Sequence, residues 1–161
     1  MTNINVGMSE VQISKTPGMV LVAPGLGSCI ALAMYDPINK IAGMAHVVLP
    51  DSSITRGDII PCKYADTAVP ELLNMMIQAG AKKHSLIIKA AGGAQMFNIE
   101  QGSNILNIGL RNIIAIKAAL SKEGLNATSV DTGGNRGRTV RLEVTTGSVF
   151  VKIIGQQELE L

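Results

Sequence analysis

Two apolar runs restrict the fold more than any other feature: "CIALAMYD" (29–36) and "IAGMAHVVLP" (41–50), with only "PINK" between them. Each run has strand length, and four residues that include a proline and an asparagine suit a hairpin loop. The runs are therefore expected as antiparallel neighbours. With the loop centred near Asn39, paired residue numbers sum to 76–78, so Cys29 falls opposite residues 47–49. His46 then lies beside or diagonal to Cys29, within side-chain reach on one face of the sheet.

Other short runs continue the strand pattern. "INVGMSEVQIS" (4–14) alternates and stops before Pro17-Gly18, and "MVLVA" (19–23) is continuously apolar. "SLIIKAAGGA" (85–94) reads as a buried strand ending in a Gly-Gly turn, and "TVRLEVTT" (139–146) with "SVFVKII" (148–154) reads as a hairpin about Gly147. Two segments carry helical periodicity. Over 63–79, Ala65, Val69, Leu72, Leu73, Met76 and Ile77 form one stripe, closed by Gly80. Asp66 or Thr67 would cap this helix and leave Pro70 in its first turn, whereas a start at Lys63 would make Pro70 a bend. Over 108–124, Leu110, Ile113, Ile114, Ile116 and Leu120 repeat the stripe up to Gly124. Strands at both ends with two helices in the second half predict an α+β fold with a layered, mostly antiparallel sheet core.

A chain of 161 residues suits one domain, 1–161, and 47% hydrophobic against 16% charged residues excludes disorder. A net charge of +2, without a basic run, argues against nucleic-acid binding, as does the scarcity of stacking aromatics (Tyr35, Tyr64, Phe97, Phe150). No window reaches the ~18 continuous apolar residues of a membrane span, so no membrane insertion is expected. The first fourteen residues show no leader pattern, and two cysteines without metal-ligand spacing read as free thiols, so a cytoplasmic location is expected.

The candidate chemistry sits in "GLGSC" (25–29). A glycine turn presents a thiol, and an imidazole across the hairpin can take its proton, the minimal unit of thiol catalysis. Gly27 and Ser28 belong to a turn whose N–H groups can meet an oxyanion. The plainer alternative is a buried apolar cysteine beside a satisfied sheet histidine. His84, in "KKHSL", and Cys62, after Pro61, read as spectators. "AGGAQMF" (91–97) offers Gly92 and Gly93 as candidate lining of a substrate site. "DTGGNRGR" (131–138) offers Thr132 and Asn135 for the same role, since its spacing fits neither phosphate-binding glycine motif.

Six stretches, "GLGSCIALAMYDP", "GMAHVVLPDS", "KYADTAV", "AGGAQMF", "NIGLRN" and "DTGGNRGR", occur in an order that resembles the CheD family of chemotaxis proteins, from about Gly7 to Lys152. The resemblance implies a chemoreceptor glutamine deamidase, a hydrolase converting receptor glutamine to glutamate through a cysteine thioester, with methylesterase action within the same chemistry. It maps the nucleophile onto Cys29 and the histidine onto His46, and implies a layered α+β fold similar to the catalytic domains of bacterial deamidating toxins. It also implies methyl-accepting chemoreceptors as substrate, a CheC phosphatase as partner, and no metal or organic cofactor. The competing implication is a non-catalytic regulator of CheC and receptors. One position departs from the family pattern: Ala23 stands where a threonine is expected, six residues before the cysteine. The expectation is that the backbone carbonyl of Ala23 orients His46 instead.

Overall fold

A computed structural model of the protein describes residues 1–96 and 107–161; Phe97, the last residue of the "AGGAQMF" stretch, lies outside them. Ten strands and two helices occur among these residues: β1 (Thr2–Asn5), β2 (Val11–Ser14), β3 (Met19–Leu26), β4 (Ile30–Asp36), β5 (Ile41–Val47), α1 (Ala65–Gln78), β6 (Ile87–Gly92), α2 (Ile108–Lys122), β7 (Ser129–Thr132), β8 (Arg138–Glu143), β9 (Val149–Ile153) and β10 (Leu159–Glu160). They make two five-stranded sheets, ordered β1-β3-β8-β9-β10 and β2-β5-β4-β6-β7. The β1/β3 and β6/β7 pairs are parallel and the other ladders antiparallel.

Strand β4 is buried along its whole length because both of its faces are covered. Ile30, Leu32 and Met34 point into a core shared with Leu72, Met76, Ile116 and Leu120 of the helices. Cys29, Ala31, Ala33 and Tyr35 point the other way, toward Leu21, Leu26, Val140 and Leu142 of the facing sheet. Alternation along one apolar strand thus divides the core into a helix–sheet layer and a sheet–sheet layer. The small side chains of Ala31, Ala33, Ala42 and Ala91 on the second face let the sheets approach closely.

The β4–β5 hairpin has the expected register, since Asp36 pairs Ile41 and Ile30 pairs Val47, a constant sum of 77. Buried Asp36 holds the loop. Its carboxylate accepts from the Ile38 and Asn39 N–H groups at 2.9 and 3.1 Å, the Asn39 amide at 2.8 Å and the distant Lys82 N–H at 2.9 Å. Burial alone would raise its pKa; these four bonds outweigh burial and hold the carboxyl at about 2.

Several expectations are corrected. The 4–14 stretch is not one strand: β1 joins one sheet, β2 joins the other, and residues 6–10 cross between them. Helix α1 begins at Ala65, so neither Asp66 nor Thr67 caps it, and Pro70 lies inside the helix beyond its first turn. Asp66 instead accepts from the Ser52 N–H and hydroxyl at 3.0 and 2.6 Å, anchoring the loop after β5. Ile77 of the α1 stripe, and Leu110 and Ile114 of the α2 stripe, are exposed. The buried face of α2 runs instead through Gly109, Asn112, Ile116 and Leu120. A parallel β6–α2–β7 unit is present, because β7 returns beside β6 with Ala90 opposite Val130.

Candidate active site

His46 is the penultimate residue of β5 and pairs Ala31 of β4. Cys29 lies two residues before Ala31 and on the same face, so the two side chains are diagonal neighbours in the sheet–sheet layer. The hairpin register therefore brings them together as the spacing predicts. Cys29 is only 8% exposed and His46 only 3%.

The ring of His46 is oriented by a backbone carbonyl, but not that of Ala23. Its Nδ1 lies 2.9 Å from the Val6 carbonyl oxygen, on the segment that crosses between the sheets. A carbonyl only accepts, so Nδ1 carries the proton and Nε2 of the neutral ring presents a lone pair. Nε2 is buried and has no partner among the described residues. The crossing segment is itself fixed on this strand, with the Ser9 N–H on the His46 carbonyl at 2.9 Å and the His46 N–H on the Glu10 carbonyl at 3.0 Å. Ala23 sits fully buried in β3 opposite Val140, packed in the sheet–sheet layer.

Burial pushes the Cys29 thiol pKa up, partly offset by its own backbone N–H. Burial pushes the His46 pKa down, against the opposing Val6 carbonyl and the Glu10 charge. Both shifts favour a neutral thiol beside a neutral imidazole near pH 7.

Three sequence stretches converge on the turn before Cys29. The Ala94 N–H donates to the Gly27 carbonyl at 2.9 Å and the Gly93 N–H to the Cys29 carbonyl at 2.8 Å. Gly92 pairs Ile30 with φ +122°, and a Cβ there would overlap the Cys29 carbonyl oxygen, so only glycine fits. The 131–138 stretch is tied on through the Gly133 N–H to the Gly92 carbonyl at 3.0 Å and the Gln95 N–H to the Gly134 carbonyl at 2.8 Å. Gly92 and Gly93 thus support the backbone of Cys29. Thr132 ends β7 and lines a cleft of about 300 Å³ between α2 and the sheet, and Asn135 is exposed in the following turn. A second cleft, about 530 Å³, lies on the other flank of α2; neither cleft is lined by Cys29 or His46. Met96, half exposed, stands over Gly27.

Two residues without a sequence-level assignment are built into this region. Asn112 of α2 is 0% exposed and its amide donates to the carbonyls of Ser28 and Val48, both at 2.9 Å. Arg138 is buried and donates to Asp131 Oδ1 at 2.7 Å and to the Asp131 and Gly133 carbonyls, which fixes the 131–134 turn. A polar residue interrupting the buried stripe of α2 was the available signal for Asn112. Cys62 lies buried in the helix–sheet layer with its thiol pushed up to about 11 by burial and then Glu71, and His84 is exposed.

Residues 48–153 match the family model described as CheD chemotactic sensory transduction, a stretch that includes neither Cys29 nor His46. Full-length relatives cover both. The chain is 46% identical over 157 residues to a probable chemoreceptor glutamine deamidase CheD of Symbiobacterium thermophilum, covering 97% of this chain and 95% of the relative. This chain belongs to the CheD family. It is also 44% identical to a probable chemoreceptor glutamine deamidase CheD of Caldanaerobacter subterraneus, covering 94% of this chain and 93% of that one. The chemoreceptor glutamine deamidase CheD of Bacillus licheniformis is 42% identical, with 95% and 91% covered. Within this CheD-family fold, no helix among the described residues is long and apolar enough to cross a membrane.

Proposed function

We propose that this chain is a chemoreceptor glutamine deamidase, with Cys29 as nucleophile and His46 as general base and acid. One observation carries the assignment of roles: a buried, unpartnered Nε2 lone pair on the residue diagonal to the only cysteine on that face. Nε2 takes the thiol proton as sulfur bonds to the carboxamide carbon of a receptor glutamine. The Cys29 and Ser28 N–H groups stabilise the oxyanion; such a donor is worth about 3–4 kcal/mol. The C–N bond breaks, the imidazolium protonates the departing ammonia, and a thioester remains on Cys29. Water then attacks, His46 takes its proton, the C–S bond breaks to release glutamate, and the sulfur regains its proton. A glutamyl methyl ester would enter the same cycle with methanol leaving.

The substrate is a glutamine on a protein surface, met at an open turn rather than in a deep cleft. The exposed Pro24, Gly25 and Met96 border that turn. We place the reaction in the cytoplasm, and a CheC phosphatase docking on the same turn competes with receptor for it.

The test is ammonia release from glutamine-bearing receptor by wild type, Cys29→Ala and Cys29→Ser, with the fold checked by circular dichroism. Folded variants should lose more than about 10³-fold in rate. A folded Cys29→Ala that keeps wild-type ammonia release refutes the assignment.

A further inference from the structure

The β4–β5 ladder ends at Ile30 and Val47, so beyond it no ladder bond holds the two strand ends together. At that point the side chain of Asn112 reaches out of α2 and donates one N–H to the Ser28 carbonyl and the other to the Val48 carbonyl. Both partners are acceptors, so the amide orientation follows from chemistry: the reverse would set oxygen against oxygen. The Asn112 side chain is fully buried, and its Oδ1 has no partner among the described residues. A buried oxygen left unpaired is costly, and it is tolerated where the donor end of the amide has a use.

The Ser28 carbonyl and the Cys29 N–H belong to one peptide group, and no peptide bond of the described residues is cis. In a trans peptide these two groups point in opposite directions. Holding the carbonyl toward the Asn112 amide therefore aims the Cys29 N–H away from that amide. Gly109, one helical turn before Asn112, reinforces the placement: a Cβ there would overlap the Ala94 and Gly93 carbonyls, so α2 seats directly on the loop that holds the Cys29 carbonyl.

We propose that Asn112 is a positioning residue that sets the oxyanion donor, by fixing the Ser28–Cys29 peptide so that the Cys29 N–H faces the carboxamide oxygen of the reacting glutamine. The proposal rests on the deamidase reading for its kinetic consequence but not for its geometric one. Two readouts separate them. Asn112→Ala removes both donors, and Asn112→Leu removes them while refilling the space; Ile116→Val on the same helix perturbs packing alone. In folded Asn112 variants, kcat for ammonia release should fall about tenfold to a hundredfold with KM changed less than about threefold. The pH profile of Cys29 alkylation by iodoacetamide, read by peptide mapping to separate it from Cys62, should move upward by about half a unit or more as the N–H leaves the thiolate. Ile116→Val should leave both unchanged.

An unmoved alkylation profile in either folded Asn112 variant overturns the proposal, as does a rate loss expressed in KM alone. If neither variant folds, Asn112 defines the fold rather than the site, and the proposal is equally overturned. Wild type that releases no ammonia refutes the deamidase reading, while the alkylation profile still judges the peptide orientation.

Discussion

In the proposed mechanism His46 is the base, with one ring nitrogen tied to a carbonyl and the other buried without a partner among the described residues, and its acid limb should be visible. Burial lowers the His46 pKa from the ordinary 6.5, so kcat/KM should fall only as pH drops through a midpoint below that value. A midpoint clearly above 6.5 would contradict the burial account. The same shift has a stability consequence. The unfolded chain binds this proton first, so the stability due to neutral His46 is complete above 6.5 and is lost as pH falls below it. Because Val6 already holds Nδ1, Ala23→Thr should leave kcat within about twofold while costing about 1–3 kcal/mol for a hydroxyl placed in a dry layer. A large rate gain, measured beside a urea melt, would show that a side-chain hydroxyl still limits the ring. The diagonal placement of His46 and Cys29 was legible from the sequence because a four-residue loop leaves little freedom in register. The Val6 carbonyl was not, since a backbone group forty residues away carries no residue-type signal.

At the scale of elements, the hairpin loop and the Gly92 turn carry the two sharpest mutational expectations. Asp36 is held at about 2 against an ordinary 3.8, so the folded state binds fewer protons between those values. That stabilisation, about 2 kcal/mol, is present above pH 3.8 and lost as pH falls toward 2. Asp36→Ala should lower stability by about 3 kcal/mol at neutral pH and flatten this acid dependence in urea melts; an unchanged slope would contradict the loop assignment. Gly92→Ala forces a Cβ into the Cys29 carbonyl at a positive φ, and should cost more than about 3 kcal/mol or prevent folding. The helices and most strands were readable from periodicity. The exposed Leu110 and Ile114 were not, because apolar count alone cannot tell which of two adjacent helix faces is covered. The β1–β2 division escaped too: alternation marks strands but is silent on which sheet each joins.

For the whole molecule, the layered α+β architecture predicts one cooperative unit, and two native thiols report on it. Cys62, in a short 3-10 helix over Pro61–Lys63, lies in the helix–sheet layer and Cys29, just before β4, in the sheet–sheet layer. Their alkylation should rise at the same urea concentration; separated transitions would show two independently melting layers. Layering was foreseeable from strands flanking helices, whereas the parallel return of β7 beside β6 was not, because non-local pairing leaves little trace in a short segment. In the proposed reaction this fold presents Cys29 to a receptor glutamine. Receptor incubated with wild type, then digested and weighed, should show glutamine peptides converted to the glutamate mass, and none converted by folded Cys29→Ala. Conversion by the alanine variant at the wild-type rate, or none by wild type, would contradict it.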